Sequence, residues 1–300
     1  MHNKLLYIIM IFVIIMHALD MNHITIYPIT NKYYYNKCRV CPYRKKKTFN
    51  YYINSLKFTR LDEKKKLANK KYAKEYVIAN FKEINVLSNL FVIKNPQDIF
   101  NVNINEKIII KSTIGTGRNK IVNKINCKNH SKLFKIIKKW NSERHWSTTK
   151  LLKHTQLYEP QYDTDPNDNE ILIEKFIEKL DEYSFHMVNG NILFIQTDRG
   201  GRMNRSTSLY DINWKLLKIS CGDRKPAKGI HKPKSFNKMI KFCKDFYNKT
   251  KLEYVRIDMY DIHGKIYFGE FTFTPYACSC YMSDNYDEKI YNKIQQSNKV

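Results

Sequence analysis

With 300 residues, 43% of them apolar and 14% aromatic, the chain can bury one large core or two modest ones, and its composition excludes an intrinsically disordered protein. A formal net charge of +25 points to an anionic partner. The lysines are scattered among Asn, Ile and Tyr, however, and no helix-turn-helix, RNP or zinc-finger signature appears, so no specific nucleic-acid partner is expected.

Residues 5–19, LLYIIMIFVIIMHAL, form an apolar run shorter than the ~20 residues that span a bilayer. The following His17-Ala18-Leu19-Asp20 lacks small residues at both positions a signal peptidase reads, so an uncleaved membrane anchor is expected over a cleaved signal, with synthesis from Met21 as the alternative. The protein is accordingly expected in the cytoplasm or on a cytoplasm-facing membrane. Seven cysteines, an odd number spread from Cys38 to Cys280, suit a reducing compartment rather than a disulfide framework. Cys38 and Cys41 form one CxxC with no second ligand pair to complete a zinc site.

Residues 21–60 show no clear period and are expected to be a loose approach segment. The spacing of Leu67, Tyr72, Val77 and Ile78 predicts one helix from Leu61 to Phe81. Strands are predicted at Lys107–Lys111 and Glu170–Ile177, and a hairpin from Ser184 to Gln196 turns at Asn189-Gly190, the pair that tolerates positive φ at both central positions of a type I′ turn. A helix follows over Phe236–Tyr247, and a second hairpin over 254–273. Antiparallel hairpins interrupted by helices, without regular βαβ units, indicate an α+β fold.

The chemistry concentrates in the last hairpin, VRIDMYDIHGKIYFGEFTFTP. If its loop is Ile262-His263-Gly264, residues whose numbers sum to 526 face each other and Arg256 lies opposite Glu270. Alternation then puts Arg256, Asp258, Glu270 and Thr272 on one face, and Val255, Ile257, Met259, Phe271 and Phe273 on the other. Asp258 and Glu270 become diagonal neighbours able to share Mg²⁺, which takes few carboxylates and completes its octahedron with water and phosphate oxygens. A half-solvated hairpin with an Arg256–Glu270 cross-strand pair is the plainer alternative. Upstream, Lys111 ends a strand and leads into Ser112-Thr113-Ile114-Gly115-Thr116-Gly117-Arg118, where two glycines free backbone N–H groups to wrap a phosphate and Lys111 and Arg118 supply charge. Gly-x-Gly also occurs in ordinary turns. Asp163-Thr164-Asp165 could hold the metal of a nucleotide-sugar transferase, but DTDPNDN has the composition of a solvated loop. Cys278 and Cys280 flank Ser279 near the last hairpin and are expected to be small buried side chains rather than nucleophiles.

Several segments in one order, KKTFNYYINSLKF, NKKYAKEYV, IIIKSTIGTGRN, YEPQY, ILIEKFI, EYSFHMVNGNILFIQTDR, SLYDINW and the final hairpin, resemble the TupA-like ATP-grasp family associated with synthesis of cell-surface polysaccharides. The resemblance covers roughly residues 45–290, and the Arg-x-Asp-x-Tyr strand followed by Phe-Gly-Glu-x-Thr-Phe-Thr-Pro is its most specific part. It implies two α+β lobes enclosing ATP over residues 61–300, with a glycine-loop lobe over about 105–175 and a metal-binding lobe over about 176–295. It further implies phosphate contacts from Lys111 and from the Gly115, Thr116 and Gly117 loop. Glu174 would lead into a hinge, with adenine held by backbone at Lys175, Phe176 and Ile177 and ribose near Glu178 or Asp181. Asp258 and Glu270 would hold Mg²⁺, Arg256 would stabilise the transferring phosphate, and Arg199, after Asp198, would face the acceptor. The implied activity is an ATP-dependent carboxylate ligase acting through an acyl phosphate on a small-molecule or glycan acceptor. A glycosyltransferase using Asp163 and Asp165 and a non-catalytic nucleotide-binding homologue are the alternatives. The chain departs from the family where an Asp-Lys becomes Asn69-Lys70, an Arg becomes Lys74, a His becomes Ile114 and the Lys of an Asp-Tyr-Lys block becomes Ser184.

Overall fold

The computed structural model describes residues 46–148, 158–178, 180–200, 205–220, 224–278, 282–283 and 285–297. The apolar run at residues 5–19 and the CxxC of Cys38 and Cys41 lie outside them. Among the described residues no helix is long and apolar enough to cross a membrane.

Three helices open the described chain: α1 (Phe49–Ser55), α2 (Leu61–Ala68) and α3 (Lys70–Asn80). The first lies in the stretch expected to be loose. Thr48 starts it, its side chain accepting from the Tyr51 N–H, and Phe49 and Ile53 are buried. The predicted single helix over Leu61–Phe81 is two helices. Asn69 adopts an extended backbone (φ −74°, ψ 117°) and its side chain accepts from the N–H groups of Lys71 and Tyr72, so it ends α2 and caps α3.

The strands form two sheets. The larger runs β1 (Asn85–Val86), β11 (Lys265–Thr272), β10 (Tyr254–Ile262), β6 (Glu182–Val188), β7 (Asn191–Arg199), β8 (Ser206–Tyr210) and β9 (Leu216–Leu217) in spatial order. The smaller has the order β2 (Asn89–Ile93), β5 (Ile171–Lys175), β3 (Ile108–Ser112) and β4 (Asn119–Val122). Helix α4 (Cys127–Ser142) opens on a reciprocal cap between Asn126 and Asn129 and buries Leu133 and Ile137 against the isoleucines of the small sheet, Ile108, Ile110, Ile171 and Ile173. The Asn189-Gly190 hairpin forms as expected, with φ of 46° and 78° at its two turn residues.

One face of the large sheet is apolar over its central strands. Val255, Ile257, Met259, Phe271 and Phe273 pack there with α3 and with α5 (Phe236–Thr250), the ring of Phe271 stacking on Phe246 at 4.4 Å. The other face is divided. At one end Tyr254, Phe194 and Val188 pack with α1 and α6 (Tyr286–Ser297). At the other end the same face carries Arg256, Asp258, Glu270 and Thr272, a polar patch in which Asp258 and Thr272 are buried and Glu270 keeps 40% of its side chain exposed.

The last hairpin departs from the expected register. Its turn has two residues, His263-Gly264, both at positive φ (54° and 78°), and Asp261 Oδ1 accepts from the Gly264 N–H at 2.7 Å. Near the turn Met259 pairs with Phe268; beyond a bulge Asp258 pairs with Glu270 and Arg256 with Thr272. Asp258 therefore stands directly opposite Glu270 instead of diagonal to it, and Arg256 is not opposite Glu270. Gly269 makes the bulge possible, because a Cβ there would lie 2.9 Å from the Asp258 carbonyl oxygen.

Candidate functional site

The two carboxylates of the last hairpin are held differently. Asp258 is 2% exposed, and Arg256 donates to both its oxygens, Nε to Oδ1 at 2.8 Å and Nη2 to Oδ2 at 2.5 Å. Arg256 Nη2 also donates to Thr272 Oγ1 at 3.1 Å and lies 3.5 Å from Glu270 Oε1. Burial pushes the Asp258 carboxyl up to about 7, with Arg256 opposing and the neighbouring Glu182 and Glu270 adding to the rise. Glu270 keeps 40% of its side chain exposed. Burial raises its pKa, but Lys70, Arg256 and Lys111 more than offset this and hold it below the usual carboxylate range.

Lys111 lies on β3 of the small sheet and Lys70 at the start of α3, and the charges of both act on Glu270 of the large sheet. On the small sheet, Lys111 Nζ reaches Glu174 Oε2 at 2.9 Å, and Lys74 Nζ reaches Glu174 Oε1 at 2.6 Å. Lys74 Nζ also donates to the Leu87 carbonyl and to Asn89 Oδ1, each at 2.8 Å. Glu174 is 1% exposed; burial raises its pKa, and Lys111 and Lys74 bring it below its ordinary value. Sequence reasoning singled out Lys111 and Glu174 but gave no role to Lys70 or Lys74. Their separation by one helical turn on α3 was the available signal.

The glycine loop is a closed turn: the Ser112 N–H donates to the Arg118 carbonyl at 2.9 Å, and Gly115 and Gly117 have φ of 83° and 76°. Lys70 Nζ donates to the Gly115 carbonyl at 2.7 Å. Arg118, expected to supply charge to a phosphate, instead binds the carbonyls of Trp140, Glu143 and Arg144 at 2.8–3.0 Å and caps the C-terminus of α4. Under the loop lies His145, whose Nε2 is 3.2 Å from the Thr116 nitrogen and 3.1 Å from the Thr116 oxygen. A Cβ on Gly115 would sit 2.3 Å from its ring. Burial lowers the His145 pKa to about 4. An unfolded histidine titrates near 6.5, so the unfolded chain binds the extra proton first and stability falls as pH drops from about 6.5 towards 4, by up to about 3 kcal/mol. Denaturant titrations across this range should show that slope, and His145→Gln should remove its part of it, leaving the part due to His186, whose pKa burial also lowers.

Other expected residues are engaged elsewhere. Lys175 pairs with Glu106 at 3.0 Å and Glu178 with Lys107 at 2.6 Å. The Phe176 N–H donates to the Lys107 carbonyl at 3.0 Å, whereas the Ile177 backbone makes no hydrogen bond among the described residues. Arg199 grips Asp181 through Nε and Nη2, both at 2.6 Å, and alternation along β7 turns it to the face opposite Asp198, so the structure does not bring it to Asp258. Asp163 is held by Arg144 and Tyr158, both at 2.5 Å, and Asp165 caps a short helical turn. Cys278 is buried and its thiol pushed up to about 12 by burial; Cys280 lies outside the described residues.

Among the described residues no group of three or more His, Cys, Asp or Glu could hold a metal ion. The pair Asp258 and Glu270 supplies two carboxylates from one face, a donor set that fits Mg²⁺ completed by water and phosphate oxygens and does not fit a metal bound by protein alone.

Compared with curated proteins, the sequence finds no match. Compared with solved structures, it is similar to D-alanine–D-alanine ligase from Helicobacter pylori (17% identity, TM-score 0.41, 76% of this chain and 60% of that one) and from Bacillus anthracis (15%, 0.39, 69% and 57%). It is also similar to L-amino acid ligase from Bacillus licheniformis (12%, 0.39, 68% and 42%), so the chain spans at most 60% of the length of these ligases. The family profile of the TupA-like ATPgrasp proteins matches residues 50–295, more than four fifths of the sequence, and the chain therefore belongs to the TupA-like ATP-grasp family.

Proposed function

We propose that the protein is a Mg-ATP-dependent ligase that activates a carboxylate and passes it to an amine or hydroxyl on a small-molecule or glycan acceptor, in polysaccharide or glycoconjugate synthesis. The observation that carries this reading is the direct Asp258–Glu270 pair, set beside Arg256 on the polar part of the sheet face, with Lys70 of α3 and Lys111 of the small sheet acting on Glu270. Asp258 and Glu270 would hold Mg²⁺, which supplies neutralising charge to the β- and γ-phosphates. Lys111, fixed by Glu174, and Lys70, fixed at Gly115, face the same space and balance phosphate charge. Arg256 is aimed where charge develops on the transferring phosphoryl group. Gly115, Thr116 and Gly117 cover the cleft and limit the water that would hydrolyse an acyl phosphate. Adenine would lie against the small sheet, with the unengaged Ile177 backbone as its hydrogen-bonding edge, and ribose near Glu178.

The purified protein is expected to release ADP from ATP only with Mg²⁺ and a suitable carboxylic acid, and hydroxylamine should trap the activated acid as a hydroxamate. Amino acids and uronic-acid glycans form the first screen. UDP-sugar turnover with no need for ATP would replace this reading with a glycosyltransferase.

A further inference from the structure

A second polar cluster occupies the same sheet face, beyond Asp258. Strand pairing runs from Asp258 to Ser184 on β6 and from Ser184 to Gln196 on β7, and residues paired in an antiparallel sheet point to the same side. Gln196 Nε2 donates to Asp198 Oδ2 at 2.6 Å and to the Tyr276 hydroxyl at 3.1 Å. Arg224 joins them: its Nη1 donates to the Tyr276 hydroxyl at 2.6 Å, to Thr207 Oγ1 at 3.2 Å and to Asp198 Oδ1 at 3.3 Å. Its guanidinium carbon lies 4.8 Å from the centre of the Tyr276 ring.

Two features of this cluster are unexplained by the fold. The Ser184 hydroxyl is fully buried between Asp258 and Gln196 yet has no hydrogen-bond partner, a costly arrangement if nothing ever meets it. Arg224 uses only Nη1: among the described residues its Nε and Nη2 make no hydrogen bond, although 26% of the side chain is exposed. The free Nε–Nη2 edge is a planar fork matched to a carboxylate. Ring, hydroxyl and Asp198 fix its orientation, which reduces the ordering cost of binding.

Spacing sets which carboxylate it takes. Neighbouring strands lie about 4.8 Å apart, so Gln196 is about 10 Å across the sheet from Asp258, and Arg224 bonds Thr207 on β8, the strand beyond. A carboxyl group on Arg224 cannot also reach a phosphate bound at Asp258 and Glu270. We propose that Arg224 anchors a second carboxylate of the acid that the enzyme activates, so that the substrate is a diacid lying over Ser184, with its reacting carboxylate at the Asp258 end and the Ser184 hydroxyl bonded to it. This rests on the ligase reading and narrows it to a substrate class.

The test titrates succinate, glutarate and adipate, with propionate as the single-carboxylate control, into the full chain loaded with Mg-ADP. Arginine Nε–H signals are followed by nitrogen-15 NMR, the Arg224 signal being the one absent from Arg224→Lys. At least one diacid is expected to move that signal saturably and to bind about tenfold more tightly than propionate, because two anchored groups contribute where one did. Arg224→Lys, which lacks the fork, should lose that preference while its Mg-ADP affinity stays within about twofold. Ser184→Ala should weaken the preferred diacid about fivefold, the worth of one hydrogen bond. If no diacid moves the Arg224 signal, or diacids bind no better than propionate, the proposal is overturned. Failure of the ligase reading shows separately on the same samples, as absence of Mg-dependent nucleotide binding.

Discussion

Glu270→Gln is expected to reduce ADP release on the order of 10³-fold and to remove the Mg²⁺ dependence of nucleotide binding, while the protein melts within a few degrees of wild type. The size follows from losing one of two anionic ligands of a metal that stabilises several kcal/mol of developing phosphate charge, at 1.36 kcal/mol for each tenfold in rate. The unchanged stability follows from position. The Glu270 side chain is 40% exposed, and its contacts to Arg256 and Thr272 are long, at 3.5 and 3.4 Å. Asp258→Asn is the less clean experiment, because Asp258 is 2% exposed and holds the Arg256 fork, so its loss strands a nearly buried cation and costs stability as well as function. Calorimetric titration of Mg-ATP into Glu270→Gln decides the matter. Wild-type affinity, with Mg²⁺ still required, would remove Glu270 from the metal site.

How much of this site could be read from the sequence depends on how local each determinant is. Asn189-Gly190 specifies its turn within two residues, and that hairpin was legible. The last hairpin was not fully so, because His263-Gly264 is a weaker turn signal and the bulge at Gly269 is fixed by the approach of the Asp258 carbonyl from the neighbouring strand. The expected pairing summed to 526, whereas Asp258 with Glu270 sums to 528. Beyond the bulge an error of two leaves these side chains on their original faces, whereas an error of one there would have separated the carboxylates. Thus the face shared by Arg256, Asp258, Glu270 and Thr272 was legible and the facing partners were not. The break at Asn69 was hidden because Asn fits a solvated helix surface as well as a cap, and only the preceding and following helices' packing selects the cap. Arg118 looked like a phosphate ligand beside its glycines. Its destination, the end of α4, comes from a helix whose Asn126 and Asn129 cap and Leu133–Ile137 spacing had gone unread.

The least legible feature carries the second large effect. Glu174 and Lys74 are 100 residues apart and Glu174 and Lys111 are 63 apart, so no local pattern joins them. Glu174→Gln is expected to destabilise the protein by about 3–5 kcal/mol, the usual consequence of removing one partner from a buried ion pair, and to lower Tm by on the order of 10 °C. Lys74 is 9% exposed and keeps two uncharged acceptors, the Leu87 carbonyl and Asn89, which satisfy its protons without balancing its charge. Lys74→Met should cost less, since Glu174 retains Lys111. Replacing both, Lys74→Met with Glu174→Gln, should be less damaging than the sum of the single changes, because no pair of like charges is then left facing a neutral amide. Acid titration gives an independent check. The Glu174 pKa is depressed on folding, so its contribution is fully present above the unfolded value near 4.5 and is lost as pH falls through the lower folded value; Glu174→Gln should remove that part of the acid slope. The same substitution frees the Lys111 ammonium from the carboxylate that holds it at 2.9 Å and should weaken Mg-ATP binding through loss of aim, with the charge itself retained. A Tm within about 2 °C of wild type would mean that the two lysines do not depend on Glu174, and Lys111 would need another means of being held toward the nucleotide.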